Sequence, residues 1–70
     1  MQKIIAGYAV AIGGVRAAGE RWHGHVEYAP ADGTPRTKSL TFDDVDFATN
    51  EEAAQHAECR FRERAATGYL

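Results

Sequence analysis

The sequence predicts an α+β domain: a three-stranded antiparallel sheet with one C-terminal helix packed on one face, in the order β-β-β-α. Three observations predict it. Period-two alternation of polar and apolar residues runs through positions 20–29 and again through 37–42, a cluster of turn formers separates the two runs, and a capping box at Thr49 opens a helical pattern. With 70 residues the chain has room for one hydrophobic core, so positions 1–70 are read as a single unit.

The first predicted strand rests on Ile4, Ala6, Tyr8, Val10 and Ile12, which share one parity, against Ile5, Gly7, Ala9 and Ala11 on the other. Its bulky side chains fall mostly on one side. Gly13 to Gly19 contains three glycines and little to pack around Arg16, so it reads as a connecting loop. Lys3 followed by the apolar stretch from Ile4 to Val15 has the outline of a secretory signal. Gly7, Tyr8, Gly13 and Gly14 interrupt that outline, and Arg16 stands where small residues should lead to cleavage, so the stretch is assigned to the domain.

Glu20 to Ala29 gives the clearest strand, with Trp22, Gly24, Val26 and Tyr28 on one face and Arg21, His23, His25 and Glu27 on the other. Gly24 on the core face should let a helix approach closely, between walls formed by Trp22 and Tyr28. Pro30, Asp32, Gly33 and Pro35 then supply the chemistry of a hairpin loop. In the third strand, Thr37 to Phe42, Leu40 and Phe42 mark the core side, and Thr37, Ser39 and Thr41 the other. Asp43, Asp44 and Asp46 are expected to end it, because aspartate is poor in sheets.

Thr49-Asn50-Glu51-Glu52 matches the capping box, in which the threonine oxygen accepts from a first-turn amide. Ala53, Ala54, Ala57, Phe61 and Ala65 fall on one stripe of the ensuing helix, with Glu52, Gln55, Cys59, Arg62 and Glu63 opposite, and Gly68 supplies a stop. Acidic residues before and within the first turn, and Arg60, Arg62 and Arg64 near the end, complement the helix dipole.

Hydrophobic residues make up 44% of the chain and charged residues 26%, proportions of a folded soluble domain and not of a disordered tail. No apolar run reaches the ~18 residues of a transmembrane helix, so no membrane role is expected. Eight basic and ten acidic residues give a net charge of -2, which provides no overall attraction for phosphate backbones. One cysteine, Cys59, excludes an intramolecular disulfide and suits a cytoplasmic location; it reads as an incidental surface thiol.

His23 and His25 project from one strand face with Glu27 continuing the row, a pattern used in some transition-metal sites. No further cysteine or histidine pair is placed to complete a four-ligand set, so no metal is expected. Threonine and serine hydroxyls beside the two histidines suggest nucleophile and base, but the sequence supplies no orienting partner or concavity, and no enzymatic activity is expected. The glycine-rich run from Gly13 to Gly19 lacks the lysine and hydroxyl of a phosphate loop, and no cofactor is expected.

The run Phe47-Ala48-Thr49-Asn50-Glu51-Glu52-Ala53, with Ala57 after it, resembles the F-x-T-x-x-E-A start of the last helix in small bacterial sheet-and-helix domains. One group comprises short proteobacterial proteins in which a similar pattern follows a Gly-x-Trp strand like Glu20-Arg21-Trp22. That resemblance covers most of the chain and implies a fold without an assigned activity. The chain is also similar to the arm-type DNA-binding domain at the N-terminus of phage integrases, with its three strands, hairpin and following helix. This second resemblance implies a sheet inserted into a nucleic-acid groove, through Arg21, Arg36 and Lys38 with help from Arg16; His23, His25, Glu27 and hydroxyls stand here on a face that is basic in that family.

The leading expectation is a non-enzymatic module whose open sheet face or edge strand binds a protein partner or a second copy of the chain. Its candidate surface is Arg21, His23, His25, Glu27, Thr37, Ser39 and Thr41. Nucleic-acid binding through Arg16, Arg21, Arg36 and Lys38 is the alternative.

Overall fold

The computed structural model describes residues 2–33 and 36–68. Four strands, β1 (Gln2–Ile5), β2 (Tyr8–Ala17), β3 (Arg21–Pro30) and β4 (Lys38–Phe47), precede one helix, α1 (Asn50–Thr67). The strands form one antiparallel sheet in the order β1-β2-β3-β4, and α1 packs on one face. The α+β class and the C-terminal helix match the sequence reading, but the sheet has four strands where three were expected.

The additional strand arises at Ala6 and Gly7, which both have positive φ (52° and 83°). Two such residues make a two-residue hairpin turn with Ile5 paired directly to Tyr8. Alternation reads straight through this turn because alanine is not a turn signal. The turn inverts parity, so Ile5 joins Tyr8 and Val10 on the helix face while Ile4 moves to the opposite one. Ile5 is 3% exposed and Ile4 66%.

The predicted loop from Gly13 to Gly19 is also mostly strand. β2 runs on to Ala17, with Gly13 opposite His25 and Gly14 opposite Gly24, because β3 offers a partner along its whole length. Only a short 3-10 turn, Ala18–Glu20, remains as connection. Glu20 therefore lies in the turn, at φ 60°, and β3 begins at Arg21.

β4 differs in the same direction. Thr37 precedes the strand, and Asp43, Asp44 and Asp46 lie within it instead of ending it. Gly24 pairs with Phe42 and Trp22 with Phe47, so residues 43–46 all stand opposite His23 alone. This wide bulge lets the aspartates face solvent while Phe47 returns towards the core. Arg21 and His23 hold it from β3: Arg21 Nε donates to Asp46 Oδ1 at 2.9 Å, and His23 Nδ1 donates to the Val45 carbonyl at 3.1 Å.

α1 starts as predicted. Thr49 Oγ1 accepts from the Glu52 amide at 3.2 Å and donates to Glu52 Oε1 at 3.1 Å. Gly68, at φ 80°, closes the helix by donating to the Ala65 and Arg64 carbonyls. Ala53, Ala57 and Phe61 are buried, whereas Ala54 and Ala65 from the predicted stripe are only half-buried. A Cβ on Gly24 would lie 2.7 Å from the Ala53 carbonyl oxygen and 2.9 Å from Ala57 Cβ, so the helix rests directly on the backbone of β3. Around this contact Ile5, Val10, Val26, Tyr28, Phe42 and Phe61 form the core.

Candidate interaction surface

The helix covers one face of the sheet, and none of the described residues packs over the other. Strand register turns that open face into rows. Ile4 lies beside Ala9 and Ala29, Gln2 beside Ala11, Glu27 and Ser39, Gly13 beside His25 and Thr41, Val15 beside His23, and Ala17 beside Arg21. The rows divide the face lengthwise. β3 and β4 contribute most of the polar groups, whereas β2 contributes only Ala9, Ala11, Gly13, Val15 and Ala17.

Six of the seven residues predicted for the interaction surface, Arg21, His23, His25, Glu27, Ser39 and Thr41, share this face; Thr37 lies just outside β4, exposed. Several are already engaged within the chain. Arg21 and His23 pin the β4 bulge, and His25 Nδ1 is hydrogen-bonded to Thr41 Oγ1 at 2.8 Å, with its Nε2 3.7 Å from Glu27 Oε1. A carbonyl only accepts, so the bond to Val45 fixes the proton of neutral His23 on Nδ1. These side chains tie β3 to β4, and the bulge depends on them.

The uncommitted part is apolar. Ile4 protrudes from β1 beside a shallow hollow of about 200 Å³ whose lining includes Ala9, Ala11 and Ala29, with Gln2, Glu27, Tyr28 and Thr37 also at its walls. A bulky side chain thus stands next to a trough made by small ones. Sequence reasoning missed Ile4, Ala9 and Ala11 because it carried one parity through Ala6 and Gly7. The available signal was Gly7 after Ala6 between two apolar runs, a two-residue spacing that hairpins require.

The edges of the sheet are less suited to pairing. β4 presents Lys38, Asp43, Asp44 and Asp46 along an irregular strand, features that discourage addition of another strand. β1 is only four residues long.

The four cations proposed for nucleic-acid contact do not form one patch. Arg16 lies on the helix face with its guanidinium 5.0 Å from the centre of the Trp22 ring, Arg21 on the open face pairs with Asp46, and Arg36 and Lys38 gather beside Tyr8 and Tyr28. Trp22 and Tyr28 are themselves about 20 Å apart along β3. Among the described residues, no group of three or more histidine, cysteine, aspartate or glutamate side chains is placed to hold a metal ion, and no helix is long and apolar enough to cross a membrane. Compared with protein-family models, curated proteins and solved structures, the chain matches none.

Proposed function

We propose that this protein is a small binding module that docks a second copy of itself, open sheet face to open sheet face. The observation that carries the reading is the juxtaposition of Ile4, 66% exposed, with the hollow lined by Ala9, Ala11 and Ala29 on the same face. A two-fold axis through the face places the Ile4 of each copy over the trough of the other, the self-complementarity that a symmetric dimer needs. The charges of the face are mixed in sign, with Arg21 beside Asp46 and Glu27 further along β3, so like surfaces meet without a single-sign field between them.

Area supports the same occupant. Strands about 4.8 Å apart and up to ten residues long give a face on the order of 500 Å² per copy. A pair then buries about 1,000 Å², the lower bound for a specific interface, so dimerisation should be weak to moderate. Pairing also shields apolar surface that a domain of this size cannot bury by itself.

Sedimentation of the wild type over a concentration series tests the reading, alongside Ile4→Ser, Ala11→Arg and, on the outer helix surface, Ala66→Arg. The expected result is reversible dimerisation lost in Ile4→Ser and Ala11→Arg but retained in Ala66→Arg. A wild type that stays monomeric at ~1 mM overturns the reading, because the interaction would then be weaker than about -4 kcal/mol.

A further inference from the structure

The positive charges of the chain are not treated alike. Among the described residues, Lys3 and Arg62 pair with Glu58, Arg21 with Asp46 and Arg60 with Asp44. Arg16 stacks on Trp22, and Arg64 lies over Phe42. Among the described residues only Arg36 and Lys38 have neither a carboxylate nor a stacked ring as partner, and both line the same hollow, a recess of about 170 Å³ whose other described walls are Tyr8, Tyr28 and Pro30. Among the described residues no carboxylate lines it. Two cations with no carboxylate partner among the described residues therefore meet two phenol rings at one end of the sheet.

The aromatic walls are held in place. The Tyr8 and Tyr28 rings meet edge to face, with centroids 5.5 Å apart at 83°, and both rest on the buried Phe61, at 6.2 Å and 5.1 Å. Tyr28 is fixed further by its position in β3, opposite Val10 on one side and Lys38 on the other. Such a recess is preformed, so binding does not require its walls to order. A guanidinium and an ammonium converging on it favour an oxyanion, the guanidinium through paired N–H donors and the ammonium as a point charge. Ligand pockets for drug-sized molecules occupy roughly 300–1,000 Å³, so this recess suits an oxyanion carried on a group no larger than one aromatic ring.

We propose that the recess between Tyr8, Tyr28, Pro30, Arg36 and Lys38 binds a small oxyanion, a phosphate or carboxylate borne on a flat apolar group. The cations hold the charged end, and the phenol and proline rings pack against the remainder. The site lies on the helix side of the sheet, but Tyr28 also lines the hollow on the open face, so the anion titration is run at a dilution where the chain is monomeric.

The test is amide NMR titration of the intact chain with inorganic phosphate, phenyl phosphate and benzoate at constant ionic strength, using chloride as the reference anion. Expected are saturable shifts at Arg36, Lys38, Tyr8 and Tyr28, with phenyl phosphate binding more tightly than inorganic phosphate because the rings contribute. Arg36→Gln and Lys38→Gln change exposed side chains and leave the core intact. Each should weaken phenyl phosphate by about tenfold, and Tyr8→Phe, which keeps the ring, by less. The proposal is overturned by absence of saturable shifts at ~10 mM of all three probes, a concentration at which even millimolar affinity saturates a site. It is equally overturned by shifts spread over Arg16, Arg62 and Arg64 to the same extent, or by binding indifferent to Arg36→Gln and Lys38→Gln.

Discussion

Individual glycines decide how closely the layers meet. Gly24 and Gly13 lie on the same sheet but face opposite surroundings: a Cβ on Gly24 would press on the backbone and side chains of α1, whereas one on Gly13 meets nothing within 4 Å. Gly24→Ala should therefore lift the helix and cost about 1–3 kcal/mol, as overpacking does. Gly13→Ala should be neutral or stabilising by up to about 1 kcal/mol, because alanine restricts the unfolded chain more than glycine does. Urea denaturation at dilute concentration measures both, and equal losses in the two variants would contradict the placement of the helix. Ala6 is the opposite case, a side chain held at positive φ. Ala6→Asn, which creates the Asn-Gly pair preferred in such turns, should raise stability by about 0.5–1 kcal/mol in the same assay.

Charge pairing fastens the elements to one another. The ammonium of Lys3 on β1 and the guanidinium of Arg62 hold the Glu58 carboxyl below its ordinary value of 4.5, and Arg60 does the same to Asp44 on β4. A carboxyl lowered on folding stabilises the native state above its unfolded value, and that contribution disappears as pH falls through the folded one. Stability should consequently decline below about pH 4.5. Glu58→Gln should flatten part of this decline and leave the remainder to Asp44 and other acids; an unchanged acid profile would mean that the link from β1 to α1 contributes nothing. The same scale shows what the sequence made legible. α1, with its Thr49 cap, Gly68 stop and Ala53-Ala57-Phe61 face, was readable because cap chemistry and a 3.6-residue period are local. The β3 alternation was readable for the same reason. β1, the second half of β2 and the bulged half of β4 were not, since Ala6-Gly7, Gly13-Gly14 and the aspartates are poor strand signals that the ladders of neighbouring strands override. Missing the first hairpin hid the candidate site as well: Arg21, His23 and His25 were found on the open face, but their internal bonds to β4 and the exposure of Ile4 depend on pairings between distant residues.

At the scale of the whole molecule, the described residues form a sheet with one face covered by a single helix. Its core is small, and on the open face the polar side chains of β3 bond largely to β4, leaving the apolar surface of β1 and β2 without a covering neighbour among the described residues. The proposed dimer joins two copies through these faces. Isotope-filtered NMR on a mixture of labelled and unlabelled chains, at a concentration where the dimer is populated, tests it most directly, because the filter retains only contacts between copies. The account predicts intermolecular contacts from the Ile4 methyl groups to the methyl groups of Ala9, Ala11 and Ala29. Intermolecular contacts confined to α1 or to the outer edge of β4, or none at any concentration up to ~1 mM, would contradict it.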